Sequence, residues 1–460
     1  MAETGKNRAE TGKKGKKKLR ILLRTFGCQM NARDSEFVMG MLLDKGFRKA
    51  ESLDTADVVI FNSCSVRKRA EERLFSNIGD LAGLKRSRPG LIIGLMGCTA
   101  QNYKDAALER SPLLDFVCGP GNEPDLPRIV GDILKDRCRM VAADKVNEKR
   151  PEPPPGYREG TFKTYVSIGE GCNNFCSYCI VPYVRGRERS RDAKAIIREV
   201  EDLARRGFKE VTLLGQNVNS YKLSTNHYSL SAKASDFVRL LERLNSIPGI
   251  ERIRFMTSHP KDASVELFKA MRDLDKVCEH LHLPLQSGSD RILKRMNRGY
   301  TQKRYMKLAE DYKRIVPGGS LTTDIIVGFP SENGRDFSET VKVMKRVAFD
   351  SAFTFKYSPR PPAKACKLKD DVKSAVKEKR LKTIIELQCK ISGARNAGLA
   401  GDTVEVLVDG HSSKDPRKLT GRTRTNKTTV FDGPPGLAGE LVSVRVESGT
   451  PYALKGKMLK

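Results

Sequence analysis

The sequence predicts a multidomain α/β protein that ends in a small antiparallel β-barrel. Three observations predict it. The chain has 460 residues, too many for one ordinary domain and enough for several cores. Val-, Ile- and Leu-rich runs alternate with amphipathic helical patterns from Leu19 to Tyr357, the rhythm of parallel sheets with helices packed on them. From Thr403 onward that rhythm gives way to short alternating runs divided by Asp409-Gly410 and Asp432-Gly433-Pro434, turn signals that join antiparallel strands.

Lys and Arg number 85 against 56 Asp and Glu, a net charge of +29. Such an excess points to a polyanionic partner, with nucleic acid ahead of a small acidic substrate. No apolar run approaches membrane-spanning length. The basic start MAETGKNRAETGKKGKKKLR lacks the apolar stretch of a secretory signal. Eleven Cys are therefore expected as metal ligands and buried thiols in a reducing cytoplasm, not as disulfides. Residues 1–18, rich in Gly and Lys, are expected to be a disordered basic tail.

Residues 19–137 read as an open α/β domain. Strand-like runs at Leu19–Thr25, Val58–Asn62, Leu91–Met96 and Leu114–Val117 alternate with helical stretches near Asp34–Lys45, Val66–Leu84, Ala100–Glu109 and Pro124–Lys135. Cysteines fall just past the first three runs: Cys28 in TFGCQMN, Cys64 in NSCSVR and Cys98 in MGCTAQ. Loops beyond the carboxyl ends of such strands form the ligand crevice of an open α/β sheet. Three thiols distant in sequence are thus expected to converge on one edge. Gly27, Asn62, Ser63 and Gly97 beside them suit loops more than a core. Two explanations compete: the thiols ligate an iron–sulfur cluster, or they are buried structural cysteines. Cys118 follows the fourth run in the same way, and its position alone does not exclude it as a ligand.

Residues 138–157, with PEPPPG at Pro151–Gly156, read as a linker, because proline removes backbone donors and favours extended chain.

Residues 158–388 repeat strand and helix. Strand candidates are Lys163–Ile168, Glu210–Leu214, Arg252–Met256, His280–Leu285, Leu321–Val327 and Ala352–Tyr357, with helical patterns such as Ala193–Arg206 and Tyr300–Ile315 between them. Six βα units predict a parallel (β/α)6 barrel, short of the full eight, with its site beyond the carboxyl ends of the strands. After the first strand, GEGCNNFCSYCIVPYVRGRERSR holds Cys172, Cys176 and Cys179 in the spacing C-x3-C-x2-C. Closed [4Fe–4S] sites hold each iron with a cysteine. Here the next Cys is Cys278, so three thiolates leave one iron open, as catalytic metal sites leave a position open. Zinc or three unrelated thiols are the competing explanations. Zinc sites usually carry paired Cys or Cys/His sets, and no His lies nearby. LLGQNVNSY, TSHP, HLPLQSGSD and TDIIVGFP follow or span the next four strands. Each is weak alone, since a Gly or Ser there is usually just a turn; five mouths in order are stronger. Arg185, Arg187, Arg189 and Arg191 alternate just past the cysteines. They could neutralise cluster charge, grip RNA phosphate, or line one solvated face of an extended segment.

Residues 389–460 begin with a helix ending near Gly398. Short runs follow at Thr403–Val408, Leu419–Thr423, Thr428–Phe431, Leu441–Val446 and Tyr452–Lys455. LTGRTRTNKTTVF sets Arg422, Arg424 and Lys427 near an edge or hairpin, either an RNA-binding surface or the exposed cations of a bland β-domain.

These motifs resemble the methylthiotransferase family of radical S-adenosylmethionine (SAM) enzymes, over nearly the whole chain past residue 18. The C-x3-C-x2-C set with Tyr178 before its third Cys is similar to that superfamily's cluster signature. The resemblance implies that Cys172, Cys176 and Cys179 hold a [4Fe–4S] cluster whose open iron chelates SAM. It also implies that SAM cleavage yields a 5′-deoxyadenosyl radical, and that Tyr178 lies beside the adenine. FGCQMN-x2-DSE, NSCSVRKRAEERLFSNIG and GCTAQ match the family's amino-terminal domain. That match implies that Cys28, Cys64 and Cys98 hold an auxiliary [4Fe–4S] cluster linked to the sulfur being inserted. Cys118 and Cys138 match no motif and are expected to be structural. The barrel motifs, with YVRGRERSR and RILKRMNRGYT, imply that Gly215 and Gln216 meet the SAM amino group, with Ser258, Gln286, Ser287 and Asp324 as further pocket residues. The C-terminal stretch resembles the TRAM domain, an RNA-binding barrel. The implied architecture is a flavodoxin-like α/β domain, a partial (β/α)6 radical SAM barrel and a TRAM barrel. Two loops depart from the pattern. Ser331 and Gly334 stand where Gly and an acidic residue are commoner, and SPRPPAKA at Ser358–Ala365 lacks the usual Gly-Thr pair.

The resemblance implies a transferase that adds a methylthio group to carbon 2 of N6-isopentenyladenosine next to the tRNA anticodon. It uses two SAM molecules, one giving a methyl group and one the radical. Expected partners are the anticodon stem-loop, whose unstacked bases are inexpensive to present, and a low-potential electron donor such as flavodoxin or ferredoxin. A cytoplasmic monomer without membrane attachment is expected. Sister substrates remain open: threonylcarbamoyl-adenosine in tRNA, or an aspartate of a ribosomal protein. From another class, a non-catalytic iron–sulfur RNA-binding redox sensor would not cleave SAM.

Overall fold

The computed structural model describes residues 18–66, 68–146, 151–152, 156–223 and 235–459. The expected basic tail, except Lys18, and residues 147–150 and 153–155 of the expected linker lie outside the described residues.

The amino-terminal sheet has six parallel strands: β1 (Arg20–Phe26), β2 (Arg48–Lys49), β3 (Val58–Ser63), β4 (Ile92–Met96), β5 (Phe116–Cys118) and β6 (Met140–Ala142). Their order is β2-β1-β3-β4-β5-β6. β3 and β4 are buried along their whole length because helices cover both faces. Val38, Leu42, Ile60, Phe116 and Ile129 form the core on one side, and Val59, Phe61, Leu74, Ile78 and Leu95 the core on the other. Fully burying one such side chain contributes about 1.5–3 kcal/mol. The edge strands β2 and β6 escape sequence reading because so few residues show no period. The helix expected from Asp34 begins at Gln29, and the one expected over Val66–Leu84 is two, Lys68–Gly79 and Ala82–Ser87. Strand order reverses between β1 and β3, the switch point where open α/β sheets take ligands. Cys28 and Cys64 lie just past these two strands.

β7 (Lys163–Ser167) starts the partial barrel. Beyond it β8 (Gly169–Glu170) pairs with β9 (Arg189–Ser190) and frames the cysteine loop. β10 (Glu210–Leu214), β11 (Arg252–Phe255), β12 (His280–His282), β13 (Ser320–Val327) and β14 (Ser351–Lys356) complete six parallel barrel strands. β7-β10-β11 and β12-β13-β14 are joined by a bridge between Ile253 and Val277. β12 stops short of the expected Leu285, since Pro284 has no N–H to donate; Gln286 rejoins by a bridge to Ile325. Asp192, Ser235, Ser264, Ser289, Thr301 and Asn333 each accept a backbone N–H at the start of a helix. Each cap is worth about 1 kcal/mol and fixes where a βα loop ends.

The long helix Ser374–Ala397 leads to the last five strands: β15 (Thr403–His411), β16 (Leu419–Thr423), β17 (Thr428–Asp432), β18 (Leu441–Gly449) and β19 (Leu454–Met458). They close a barrel in the order β15-β16-β17-β19-β18. It is antiparallel except between β17 and β19, which run parallel; an odd number of strands cannot alternate direction all the way round.

This small barrel docks on the amino-terminal ends of the larger barrel's strands. Arg252, first in β11, meets Glu405 at 2.7 Å. Arg254 donates to the Thr423 and Arg424 carbonyls at 2.7 and 2.9 Å. Lys209 pairs with Glu440 at 2.8 Å. The cysteine loop and the polar mouth motifs sit at the opposite end. No helix among the described residues is long and apolar enough to cross a membrane.

Candidate functional site

Cys28 occupies the N-cap of helix Gln29–Asp44. Gly27 before it has φ +146°, and a Cβ there would come within 2.5 Å of the Cys64 Cβ; only glycine lets the two cysteine loops approach so closely. The neighbouring asparagines lock the loops together. Asn31 donates to the Asn62 side chain at 2.8 Å, and Asn62 returns a bond to the Asn31 carbonyl at 2.8 Å. Cys28 Sγ donates to Asn31 Oδ1 at 3.1 Å. A hydrogen bond from Cys64, with the charge of Arg185, lowers the Cys28 thiol to about 6. Cys98, the first residue of the helix after β4, is buried, and burial pushes its thiol up. Cys28, Cys64 and Cys98 do converge: Cys28 and Cys64 share a hydrogen bond, Cys98 feels the charge of Cys28, and the Arg185 charge acts on both Cys28 and Cys98. Cys118 is the last residue of β5 and is buried in the core, and Cys138 is exposed.

The second set lies on the loop after β8. Gly171 has φ +74°, and a Cβ on it would meet the Arg187 carbonyl at 2.1 Å. Its N–H donates to Gln216 Oε1 at 2.5 Å. Cys172 N–H donates to the Gly186 carbonyl at 3.2 Å, and Cys179 N–H to the Cys176 carbonyl at 2.9 Å. The stretch after β12 holds this loop from below. Ser177 donates to the Arg295 carbonyl at 2.8 Å, and Asn297 to the carbonyls of Asn174 and Phe175. Arg298 donates to Cys176 Sγ at 3.3 Å. Burial pushes Cys172 up and Cys179 up to about 12, so a metal must displace thiol protons to be held. Among the described residues no three His, Cys, Asp or Glu side chains converge on a single ion. A cluster that takes one thiolate per iron asks for separated thiols, and thiols within electrostatic reach of one another, each set beside a buried arginine, fit such a group.

The residues expected around SAM separate into two groups. Gly215 and Gln216 line a crevice with Gly169, Gly171 and Glu188, beside the cysteine loop. Tyr178 packs against Ile292, Met296 and Phe329, with its hydroxyl 3.3 Å from Arg298. Ser258 Oγ, His259 Nε2 and Gln286 Oε1 are buried without a hydrogen-bond partner among the described residues, acceptors and donors of the kind a polar ligand would satisfy. Asp324 lies 3.5 Å from His282 on the β13 wall. Ser287 is buried beside this group. Its hydroxyl lies 3.5 Å from the Thr340 hydroxyl of helix Gly334–Val347.

Most of the cations expected at an RNA surface are paired within the chain. Arg185 is buried, bonded to Asp34 Oδ2 at 2.5 Å and Cys98 Sγ at 3.2 Å. Arg191 pairs with Glu152 and Glu199. Arg424 pairs with Glu279 through two nitrogens, and Lys427 with Asp350 at 2.7 Å. These last two serve domain docking. Arg189 is 3.7 Å from Glu170. Arg187, stacked over Phe175, and Arg422 are exposed. Alternation along the sequence could not reveal this, because most of the partners come from distant segments.

Sequence reasoning gave no role to Arg298, Asn31, Asn62, Asp34 or His259. All five lie inside quoted motifs, which was the available signal. Arg360 in the departing SPRPPAKA loop also emerges here: it pairs with Glu71 at 3.0 Å, and Glu71 accepts from Ser65, next to Cys64.

A family model described as the Radical SAM superfamily matches residues 166–344, one described as uncharacterized protein family UPF0004 matches 20–119, and a TRAM domain model matches 399–459. A tRNA-2-methylthio-N(6)-dimethylallyladenosine synthase of Thermoanaerobacter sp. (strain X514) is 46% identical over 96% of this chain and 93% of its own length. The protein of the same name from Syntrophomonas wolfei is 45% identical over 97% and 99%. Among solved structures, the radical S-adenosylmethionine methyltransferase TsrM from Kitasatospora setae, with cobalamin and a [4Fe-4S] cluster bound, superposes with TM-score 0.53 at 14% identity, covering 87% of this chain and 82% of that one; this likeness concerns the fold alone. Identity of this degree over nearly the full length, with all three models matched in order, means that the chain is an enzyme belonging to the tRNA-2-methylthio-N(6)-dimethylallyladenosine synthase family of radical SAM enzymes.

Proposed function

We propose that this chain adds a methylthio group to carbon 2 of N6-isopentenyladenosine next to the tRNA anticodon, consuming two SAM molecules per product. Cys172, Cys176 and Cys179 hold one [4Fe–4S] cluster, and Cys28, Cys64 and Cys98 a second. When bound, the first cluster supplies one-electron cleavage of SAM and the second the site from which sulfur is delivered. Gly215, Gln216, Tyr178, Ser258, Gln286 and Asp324 bind and orient SAM at the mouth. Arg298 holds Cys176 in place, and the buried wall around it keeps water out. Exposed Arg187 and Arg422 meet tRNA phosphates, which fix position without reading sequence.

The observation that carries the reading is Arg185. One guanidinium on the loop after Cys179 donates to Cys98, so both thiol sets open on the same domain junction. Chemistry that moves sulfur from one set to a carbon activated at the other needs them there. The remaining partners are a low-potential donor such as flavodoxin or ferredoxin. The protein acts as a monomer in the cytoplasm, where free thiols stay reduced.

The test is anaerobic reconstitution with reductant, SAM and isopentenylated tRNA, followed by mass spectrometry of the nucleosides, with Cys176→Ala as control. Methylthio-isopentenyladenosine formed only by the unmutated chain supports the reading. 5′-Deoxyadenosine without that nucleoside retains the radical chemistry and moves the substrate to threonylcarbamoyl-adenosine or the ribosomal aspartate. Neither product, with iron loaded, overturns the reading.

A further inference from the structure

Arg185 belongs to the barrel by sequence but to the amino-terminal thiol set by contact. It follows the short helix Val181–Val184, six residues past Cys179. Its Nε donates to Cys98 Sγ at 3.2 Å and its Nη2 to Asp34 Oδ2 at 2.5 Å. Both Asp34 and Arg185 are almost fully buried, with 2% and 4% exposure. Its Nη1 is buried with no hydrogen-bond partner among the described residues. A buried guanidinium with an idle N–H is costly unless a further acceptor belongs beside it. The Asp34 carboxylate offsets the charge and fixes the fork, so the side chain cannot swing away to solvent. Asp34 itself sits in FGCQMNARDSE, one turn and a half past Cys28 on the same helix.

We infer that Arg185 is a positioning residue of the auxiliary thiol set, supplied across the domain junction by the barrel, and that its free N–H serves an anionic sulfur ligand at that set. The inference rests on the two-cluster reading above. The auxiliary site is therefore incomplete in the amino-terminal domain alone, and docking of the barrel tunes it. Hydrogen bonds to ligating sulfurs are one of the levers that set cluster potential. A donor that stabilises charge on sulfur favours the reduced, more negative state, so losing it drives the potential down.

The test uses the full-length chain with Cys172, Cys176 and Cys179 all changed to Ala, which leaves one set to load. Arg185→Gln, Arg185→Lys and Arg187→Gln are added to that parent. Iron is counted, and the cluster is titrated by electron paramagnetic resonance. The expectation is about four irons per chain in the parent. Arg185→Gln should cut the reduced-to-oxidised ratio at fixed potential about tenfold, a downward shift of about 59 mV for one electron. Arg185→Lys should shift it less but not leave it unchanged, since the ammonium keeps the positive charge while a point charge cannot bond Asp34 and Cys98 together. Arg187→Gln, the same charge change without the contact, should leave the potential in place. Failure of Arg185→Gln to load while Arg185→Lys loads also supports the positioning role. An unchanged potential in a fully loaded Arg185→Gln, or equal shifts in Arg185→Gln and Arg187→Gln, overturns the inference and leaves the cluster reading standing. A parent that takes up no iron overturns the auxiliary-cluster reading itself, and this inference with it.

Discussion

Arg298 donates to Cys176 through Nη1 at 3.3 Å, and three other bonds hold it there. Nε reaches the Tyr300 hydroxyl at 3.0 Å, Nη2 the Pro284 carbonyl at 2.9 Å, and Nη1 also the Tyr178 hydroxyl at 3.3 Å. The guanidinium thus ties the middle cysteine of the loop after β8 to the turn after β12. Lysine would keep the charge and lose the fork. Arg298→Lys should therefore slow 5′-deoxyadenosine formation about 10- to 100-fold, the loss of one charged hydrogen bond of about 1.5–3 kcal/mol. Binding of tRNA, followed by filter retention, should stay within about twofold, since Arg298 is buried away from solvent and exposed phosphate contacts set that affinity. Equal losses in both assays would mean that the arginine holds the whole barrel and not the cysteine loop.

At the opposite end of the barrel Arg254 joins two domains. It pairs with Glu210 at 2.7 Å and donates to two carbonyls of the small barrel. Truncating it leaves Glu210 buried without its cation, a penalty of about 3–5 kcal/mol. Arg254→Ala should release the C-terminal barrel to limited proteolysis at low protease, with cleavage within Ser374–Ala397 or just after it. Arg424→Ala should act more weakly in the same direction, because Arg424 is partly exposed and its ion pair is screened. Uncut Arg254→Ala would place the docking strength elsewhere, in Arg252 and the buried polar residues of the long helix.

The fold was legible where periodicity and turn chemistry are local. Val58–Asn62 and Leu91–Met96 are continuous apolar runs because both faces of their sheet are covered, and the six barrel strands follow the same rule. Edge strands of two or three residues carry no period, so Arg48–Lys49 and Met140–Ala142 were invisible. The cysteines of the site were legible because metal ligands cluster by spacing or by strand end. Their supporting side chains were not. Arg185, Arg191, Arg424 and Lys427 look alike in sequence to any exposed cation, and only Asp34, Glu152, Glu279 and Asp350, each from a distant segment, reveal that their charge is already used. The SPRPPAKA loop shows the same thing from the other side. Its departure from the family pattern is visible in sequence, but its pairing of Arg360 with Glu71 is not.

Ser331 is the second departure, and its backbone explains why glycine is the commoner residue. Its φ is +72°, a conformation that costs about 1–2 kcal/mol for a residue with a Cβ. Its N–H donates to Asp371 at 2.7 Å, and its carbonyl accepts from Arg291 at 2.6 Å, bonds that glycine keeps. Glycine also frees the unfolded chain, which offsets about 0.4–1 kcal/mol. Ser331→Gly should raise the melting temperature of the apo protein by about 1–2 °C, read by circular dichroism. A lower melting temperature would mean that the 3.3 Å contact of its hydroxyl with Arg291 outweighs the strain.

Stability should fall on mild acidification, and His280 is a named cause. It is buried, with Nε2 2.9 Å from the Thr322 hydroxyl. Burial, then the neighbouring His282 and Arg254, lower its pKa to about 3, against about 6.5 in the unfolded chain. Between those values the unfolded state holds a proton that the folded state does not, so stability rises with pH across this window. It is fully present above about 6.5 and is lost progressively as pH falls toward 3. The slope is at most about 1.4 kcal/mol per pH unit for one proton. His259, lowered to about 2 by burial, acts with the same sign and adds a second proton. His280→Gln keeps a donor for Thr322 and removes the titration. Urea unfolding followed by tyrosine fluorescence (the chain has no Trp) should therefore show a shallower loss for His280→Gln than for the unmutated protein between pH 6.5 and 5. The two should converge near pH 8, where neither state carries the proton. Parallel slopes would mean that His280 takes up its proton without unfolding, through an opening at the junction where Arg422 and Lys427 face it across the cavity between the two barrels.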